Sequence, residues 1–252
     1  APASLQDVGM SERHQKIYAS QYMRPHGMIL VTGPTGSGKS TTLYSTLNEV
    51  KRPEVNVITV EDPVEFRMTN VSQVQINNKA GLTFATALRS ILRADPDVLL
   101  VGEIRDRETA QIAIEAALTG HLVLSTLHTN DASSAVTRLV EMGVEPFLVG
   151  SAINLVLAQR LLRRLCRRCS EPYTPDPVQL ESIQFPWKEG QELPVLYKPV
   201  GCPHCSHTGF RGRTALQELL VVDAHIERMA NEGAHTDQIR DYAVNEKGMT
   251  VM

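Results

Sequence analysis

No stretch of this sequence is apolar for long enough to span a membrane. The longest mainly apolar run, residues 147–158, includes Ser151 and Asn154 and falls short of the roughly 18 residues that a spanning helix needs. An excess of positive charge is also missing. Twenty-five Lys and Arg stand against 28 Asp and Glu, for a net charge of −3, so the chain as a whole carries no electrostatic footprint for DNA, RNA or anionic lipid. Aromatic residues make up only 5%, and no cluster of them offers a platform on which bases could stack. The opening Ala1-Pro2-Ala3 lacks the basic and apolar regions of a secretory signal. There is no internal repeat and no low-complexity tract. Cysteine is scarce, with four residues, and outside an oxidising compartment these are expected to be reduced or metal-bound rather than paired in disulfides.

What remains is an ordinary globular composition, 42% hydrophobic over 252 residues, enough for one large domain or a domain with an appendage. One local run is basic: Arg160, Arg163, Arg164, Arg167 and Arg168. It reads as a solvated or subunit-facing helix end. Within residues 28–139, strand and helix patterns alternate, as in a parallel sheet covered on both faces. Strands are expected at 28–31, 56–60, 98–101 and 122–125, each a short Val/Ile/Leu run with little polar alternation. Helical spacing is found at 40–50, 84–93, 109–118 and 132–142, the last with Asp131 as its N-cap. Residues 71–76 alternate with period two and read as a half-buried strand, one arm of a hairpin. A single helix is expected over 147–165, followed by a proline-rich irregular stretch between Pro172 and Pro203.

The residues Gly33-Pro34-Thr35-Gly36-Ser37-Gly38-Lys39-Ser40 complete the pattern G-x-x-x-x-G-K-[ST] between a strand and a helix. Glycines allow successive backbone N–H groups to turn inward around a polyphosphate, and the helix that follows presents its positive end. Lys39 supplies a point charge for the β- and γ-phosphates, and Ser40 a magnesium ligand. This motif predicts nucleotide binding and, without a secretory signal, a cytoplasmic protein. Two acidic strand ends follow. Glu61, Asp62 and Glu65 cluster after the second strand, and Asp97-Val-Leu-Leu-Val-Gly-Glu103 is an apolar strand ending in an acid. Acids at that edge can hold magnesium-bound water or take a proton from it. His121 and His128 bound the next strand and are placed to report the γ-phosphate state.

These four motifs, GPTGSGKST, ITVEDPVEF, VLLVGEIRD and TGHLVLSTLHTND, resemble in their order the secretion-superfamily hexameric ATPases that assemble type IV pili and type II secretion pseudopili. The resemblance implies an α/β RecA-like P-loop NTPase core at 27–145, a linker or remnant of a preceding domain at 1–26, and a C-terminal, mainly helical subdomain at 146–252. It implies ATP and Mg²⁺ as ligands of Lys39, Ser40 and Thr41, Glu61 as general base, and Glu103 as holder of the magnesium or its water. Asp62 and Glu65 would support the magnesium site, His121 and His128 would stabilise or sense the γ-phosphate, and Arg105 would join a subunit contact. As partners it implies a homo-hexamer and an inner-membrane platform protein, at the cytoplasmic face of the inner membrane, with no direct nucleic-acid contact. The rival from another class is a nucleic-acid-translocating RecA-like NTPase.

Cys166-x-x-Cys169 and Cys202-x-x-Cys205 form two pairs separated by 32 residues. Four sulfurs suit a tetrahedral Zn²⁺ at about 166–205, provided the intervening excursion brings the pairs together. A redox CxxC is the other reading. Within the family, a four-cysteine insertion of this kind favours assembly over retraction. Members also carry a preceding domain that donates arginines to the nucleotide site, and they continue past Met252, so the sequence is expected to be an ATPase domain taken from a longer protein and to bind ATP but turn it over slowly. Were the arginines to come from within the chain, Arg105, Arg211 and Arg213 would be the candidates.

Overall fold

The computed structural model describes residues 4–252, so the first three residues of the expected linker lie outside the described ones. In chain order the elements are α1 (Glu12–Tyr22), β1 (Gly27–Thr32), α2 (Lys39–Val50), β2 (Val57–Glu61), β3 (Ser72–Gln75), α3 (Phe84–Ile91), β4 (Val98–Val101), α4 (Arg107–Leu118) and β5 (Leu122–Leu127). There follow α5 (Ala132–Glu141), α6 (Pro146–Ala152), β6 (Ile153–Leu165), β7 (Glu171–Tyr173), α7 (Pro177–Ser182), β8 (Leu196–Lys198), β9 (Phe210–Val221), α8 (Ala224–Asn231) and α9 (Thr236–Asn245). The chain divides into two compact units. The first takes the described residues up to Leu161 together with Ala215–Met252, and the second is Leu162–Thr214.

A seven-stranded sheet in the order β3-β2-β4-β5-β1-β6-β9 organises the first unit. From β3 through β6 every neighbouring pair is parallel, with Gly27 opposite Leu122 and Thr32 opposite Leu127 in the central pair. β1, β2, β4 and β5 are buried along their whole length because both faces of the sheet are covered there. Met28 and Leu30 pack with Leu88, Ala113 and Ile114 on one face, while Ile29 and Val31 pack with Tyr18, Leu43 and Leu47 on the other. Side-chain caps fix the helix starts at the ends of these strands: Asp106 accepts from Thr109 N at 2.8 Å, and Asp131, as expected, accepts from Ser134 N at 2.8 Å. Since the strands run the same way, Thr32, Glu61, Val101 and Leu127 all end at one edge, where α/β sheets gather their ligands.

Four expectations are corrected. The helix expected over 147–165 ends at Ala152, and Ile153–Leu165 continues as β6, paired in parallel with β1. Residues 153–159 are buried throughout, and a run buried on every side has no period by which a strand can be told from a helix. What decides is the second edge of β1, whose backbone groups need partners. The basic run therefore lies on β6 and the turn after it, not at a helix end. Residues 72–75 do form a strand, but parallel to β2 rather than in a hairpin. Within the segment expected as a linker or remnant of a preceding domain, Leu5, Val8, Met10, Tyr18 and Tyr22 are buried, and the Tyr18 hydroxyl meets Thr46 Oγ1 at 2.8 Å. Finally, residues 146–252 are not one subdomain, because β6, β9, α8 and α9 supply Val156, Leu220, Ile226 and Ile239 to the core of the first unit.

The second unit is mostly irregular. Its β7 and β8 pair antiparallel, with Glu171 opposite Lys198, and Asp176 caps the short α7 above the buried Leu180. Arg163 lies over the Phe210 ring, 4.1 Å from its centre. No helix among the described residues is long and apolar enough to cross a membrane.

Candidate functional site

The turn from β1 into α2 is a cradle of backbone. Gly36 and Gly38 adopt φ of 79° and 85°, a region that other residues rarely enter. Gly38 is also the N-cap of α2 and gives it no side-chain cap, which leaves the first N–H groups of the helix for an anion. Ser40 and Thr41 lie exposed on that first turn. Lys39 bends back over the loop, donating to Gly33 O at 2.8 Å and Pro34 O at 3.0 Å. Burial lowers its pKa, against the pull of the Glu103 carboxylate. The Ser37 hydroxyl is buried and finds no partner among the described residues.

At the same edge stand the two acids. Glu61 ends β2, is buried, and its carboxylate accepts from Tyr44 OH, from Thr59 Oγ1 at 2.6 Å and from Gln73 Nε2 at 3.2 Å. The Tyr44 pKa is raised by burial and by this bond to Glu61. Glu103 follows β4 in a tightly held segment. Gly102 N donates to Val60 O at 2.8 Å, Thr126 Oγ1 donates to Gly102 O at 2.7 Å, and Ile104 N donates to Thr126 O at 3.1 Å. One Glu103 oxygen meets His128 Nε2 at 2.5 Å and the other meets Arg105 Nε at 2.5 Å, while Arg105 also reaches Asp62 at 3.7 Å. Glu65 contributes its backbone N–H, which donates to Tyr44 OH at 3.2 Å.

The two histidines are not brought together. His128 belongs to the site, whereas His121 precedes β5 at the opposite edge of the sheet, with Nδ1 2.5 Å from Pro96 O. Six strand residues at about 3.3 Å each put it roughly 20 Å away, so within one chain it cannot touch a γ-phosphate held beside Glu103. Its local role is to bind β5 to the start of β4.

Sequence reasoning missed Tyr44, Thr59 and Gln73 around Glu61. It also missed Thr32, whose hydroxyl accepts from Thr129 N at 2.8 Å and fixes the His128 loop to the start of the phosphate loop. Thr59 alone carried a signal, as a polar residue facing the same side as Glu61 two positions on. The rest are polar side chains on separate elements that only folding brings near.

In the second unit the four cysteines converge. Their sulfurs all lie within 4.8 Å of one another, with Cys166 and Cys202 at 4.0 Å, Cys169 and Cys205 at 3.8 Å, and Cys202 and Cys205 at 3.8 Å. The β7–β8 ladder closes the excursion between the pairs. Backbone N–H groups of Cys202 and Gly209 point at Cys205 Sγ, and that of Gly201 at Cys169 Sγ. Burial pushes the Cys205 thiol up, but these N–H groups and the neighbouring Cys169 and Cys202 outweigh it and bring it to about 6. Burial pushes Cys169 up to about 11, with the adjoining sulfurs adding to it and the Gly201 N–H opposing.

The family described as type II/IV secretion system protein matches residues 1–252. The type II secretion system protein E of Pectobacterium carotovorum subsp. carotovorum is 57% identical over 219 residues, which are 87% of this chain and 43% of that protein. The type IV pilus assembly ATPase PilB of Thermus thermophilus is 48% identical over 248 residues, 98% of this chain and 28% of that one. This chain thus spans less than half the length of either relative. Among solved structures, the pilus retraction motor PilT with bound ADP matches all of this chain and 65% of its own, at a TM-score of 0.70 and 27% identity.

Proposed function

Because the chain belongs to the type II/IV secretion system protein family, we propose that it hydrolyses ATP as part of a motor that builds a type IV pilus or a type II secretion pseudopilus. The observation that carries this is the convergence at one sheet edge of an uncapped helix N-terminus, a lysine that can turn toward phosphate, and two acids held by their surroundings. Relatives named as a secretion protein E, a pilus assembly ATPase and a pilus motor with bound ADP support the same reading. On it, the working unit is a homo-hexamer at the cytoplasmic face of the inner membrane, acting with a platform protein.

The residues divide the work as follows. Backbone N–H groups of residues 36–39 bind the β-phosphate, and Lys39 exchanges the carbonyls of Gly33 and Pro34 for β- and γ-oxygens. Ser40 and Glu103 are the residues to hold Mg²⁺, which when bound neutralises charge on those oxygens. Glu61 is the base. Three donors occupy three of the roughly four lone-pair sites of a carboxylate and leave one for the attacking water. His128, on Glu103, reports whether the γ-phosphate is present. The test is ATP turnover with Mg²⁺, with and without single-stranded DNA. Turnover indifferent to DNA is expected. Strong stimulation, with DNA binding that weakens steeply with salt, would point instead to the nucleic-acid translocase.

The second unit fits a structural Zn²⁺ held by Cys166, Cys169, Cys202 and Cys205. Tetrahedral Zn–S bonds of about 2.3 Å put sulfurs about 3.8 Å apart, close to the spacings seen, and far from the ~2 Å of a disulfide. Four thiolates leave no open position for substrate. Elemental analysis is expected to give one zinc per chain, and its removal by a chelator to lower the melting temperature of the protein. Metal-free protein that melts unchanged would reject the site.

A further inference from the structure

Gln159 lies on β6 at 0% exposure, directly behind the phosphate loop. Its Nε2 donates to Ser37 O at 2.7 Å, and its Oε1 accepts from Thr42 Oγ1 at 3.0 Å and from Gln217 Nε2 at 3.0 Å. The orientation of the amide is not arbitrary. Ser37 O can only accept, so the NH₂ must face it and the carbonyl oxygen must face the other two. One side chain therefore holds the loop through Ser37 and the first turn of α2 through Thr42, the two walls between which a polyphosphate would lie. Gln217, on β9 and also buried, keeps the amide from turning.

The glycines of the motif bear the same imprint. A Cβ on Gly33 would come 2.3 Å from the Gln159 backbone oxygen, and one on Gly38 2.9 Å from Gln159 Nε2. Gly36, in contrast, has no atom within 4 Å of a Cβ position, so its glycine answers only to φ. At Gly33 and Gly38, where a positive φ already favours glycine, a side chain would also be pressed against this residue.

We propose that Gln159 is a positioning residue for nucleotide binding, a strut that sets the spacing between the phosphate loop and the N-terminus of α2. The proposal rests on the reading of this loop as an ATP site. Gln159→Glu keeps the length and an oxygen for Gln217 but sets a carboxylate against the Ser37 carbonyl. Gln159→Met, also of similar length, removes the donor without adding charge and serves if the glutamate variant does not fold. Gln217→Met breaks only the bond between the two glutamines and leaves the contact with Ser37. All three remove buried hydrogen bonds, so all three are expected to lower the melting temperature.

The discriminating measurement is ATP and ADP affinity, by calorimetric titration of the folded 252-residue protein. The two Gln159 variants are expected to bind about 10- to 100-fold more weakly than wild type, the range that one to three disturbed buried hydrogen bonds supply, while Gln217→Met stays within about threefold. Wild-type affinity in either Gln159 variant would overturn the proposal. So would an equal loss in all three that tracks melting temperature, since that is what a purely structural residue gives. If the wild-type protein itself binds neither nucleotide, the ATP reading fails and the strut has nothing to position.

Discussion

Replacing Lys39 with alanine is expected to abolish ATP turnover, by at least about 10³-fold, and to weaken ATP binding about tenfold or more. The side chain is the cation placed to turn toward the phosphates, and burial has already removed part of its water. An ammonium in such surroundings interacts more strongly with a polyphosphate than it would in bulk solvent. The substitution should leave the fold intact, because α2 keeps Leu43 and Leu47 in the core and the loop keeps its bond from Gln159 to Ser37. A nucleotide titration, a phosphate-release assay and a melting curve on one preparation check the three statements together. Turnover within a few-fold of wild type would remove Lys39 from the mechanism.

Glu103→Gln is expected to behave in the opposite way with respect to binding. Affinity for ATP should stay within about threefold while turnover falls by about 10² to 10⁴, since a properly held metal ion supplies several kcal/mol of transition-state charge stabilisation. The amide has the same shape, and the backbone around it is fixed by Val60 O and Thr126 rather than by the carboxylate. What is lost is charge, at the point where magnesium and its water would be organised and where His128 and Arg105 now meet the carboxylate. Separate measurement of Kd and of single-turnover rate tests this, because a loss confined to the rate marks an interaction made in the transition state. A variant that hydrolyses at the wild-type rate, or one that loses binding as well, would reassign the residue.

Much of the architecture was legible because its signals are local. A Val-Leu-Leu-Val strand, a glycine loop and an Asp131 cap each announce themselves within a few residues, and the strand at Val98–Val101 appeared at its expected bounds. β6 was not legible. Its residues Ile153 to Gln159 are buried throughout, and the choice between helix and strand was made by the open edge of β1, more than a hundred residues earlier. The site divides in the same way. Lys39, Glu61 and Glu103 are marked by motifs, whereas Tyr44, Gln73 and Gln159 are uncharged polar residues without local pattern whose importance comes from what lies opposite. His121 shows the converse. It sits in a motif next to residues of the candidate site, and only strand direction reveals that within one chain it lies at the other edge.

The interruption of the first unit has a consequence for how the protein is made. β6 and β9 are neighbours in the sheet, yet the whole of Leu162–Thr214 is synthesised between them. At about 5–20 residues per second, β6 waits roughly 3 to 10 seconds on the ribosome for its partner. During that interval an apolar strand bearing Leu155, Val156 and Leu157 has one open edge, the arrangement most prone to pair with another nascent copy. Gln217 arrives with β9, so the amide of Gln159 gains this partner only after Leu162–Thr214 has been made. Rapid folding of Leu162–Thr214 would hold the start of β9 beside the end of β6 as soon as the rest of β9 emerges.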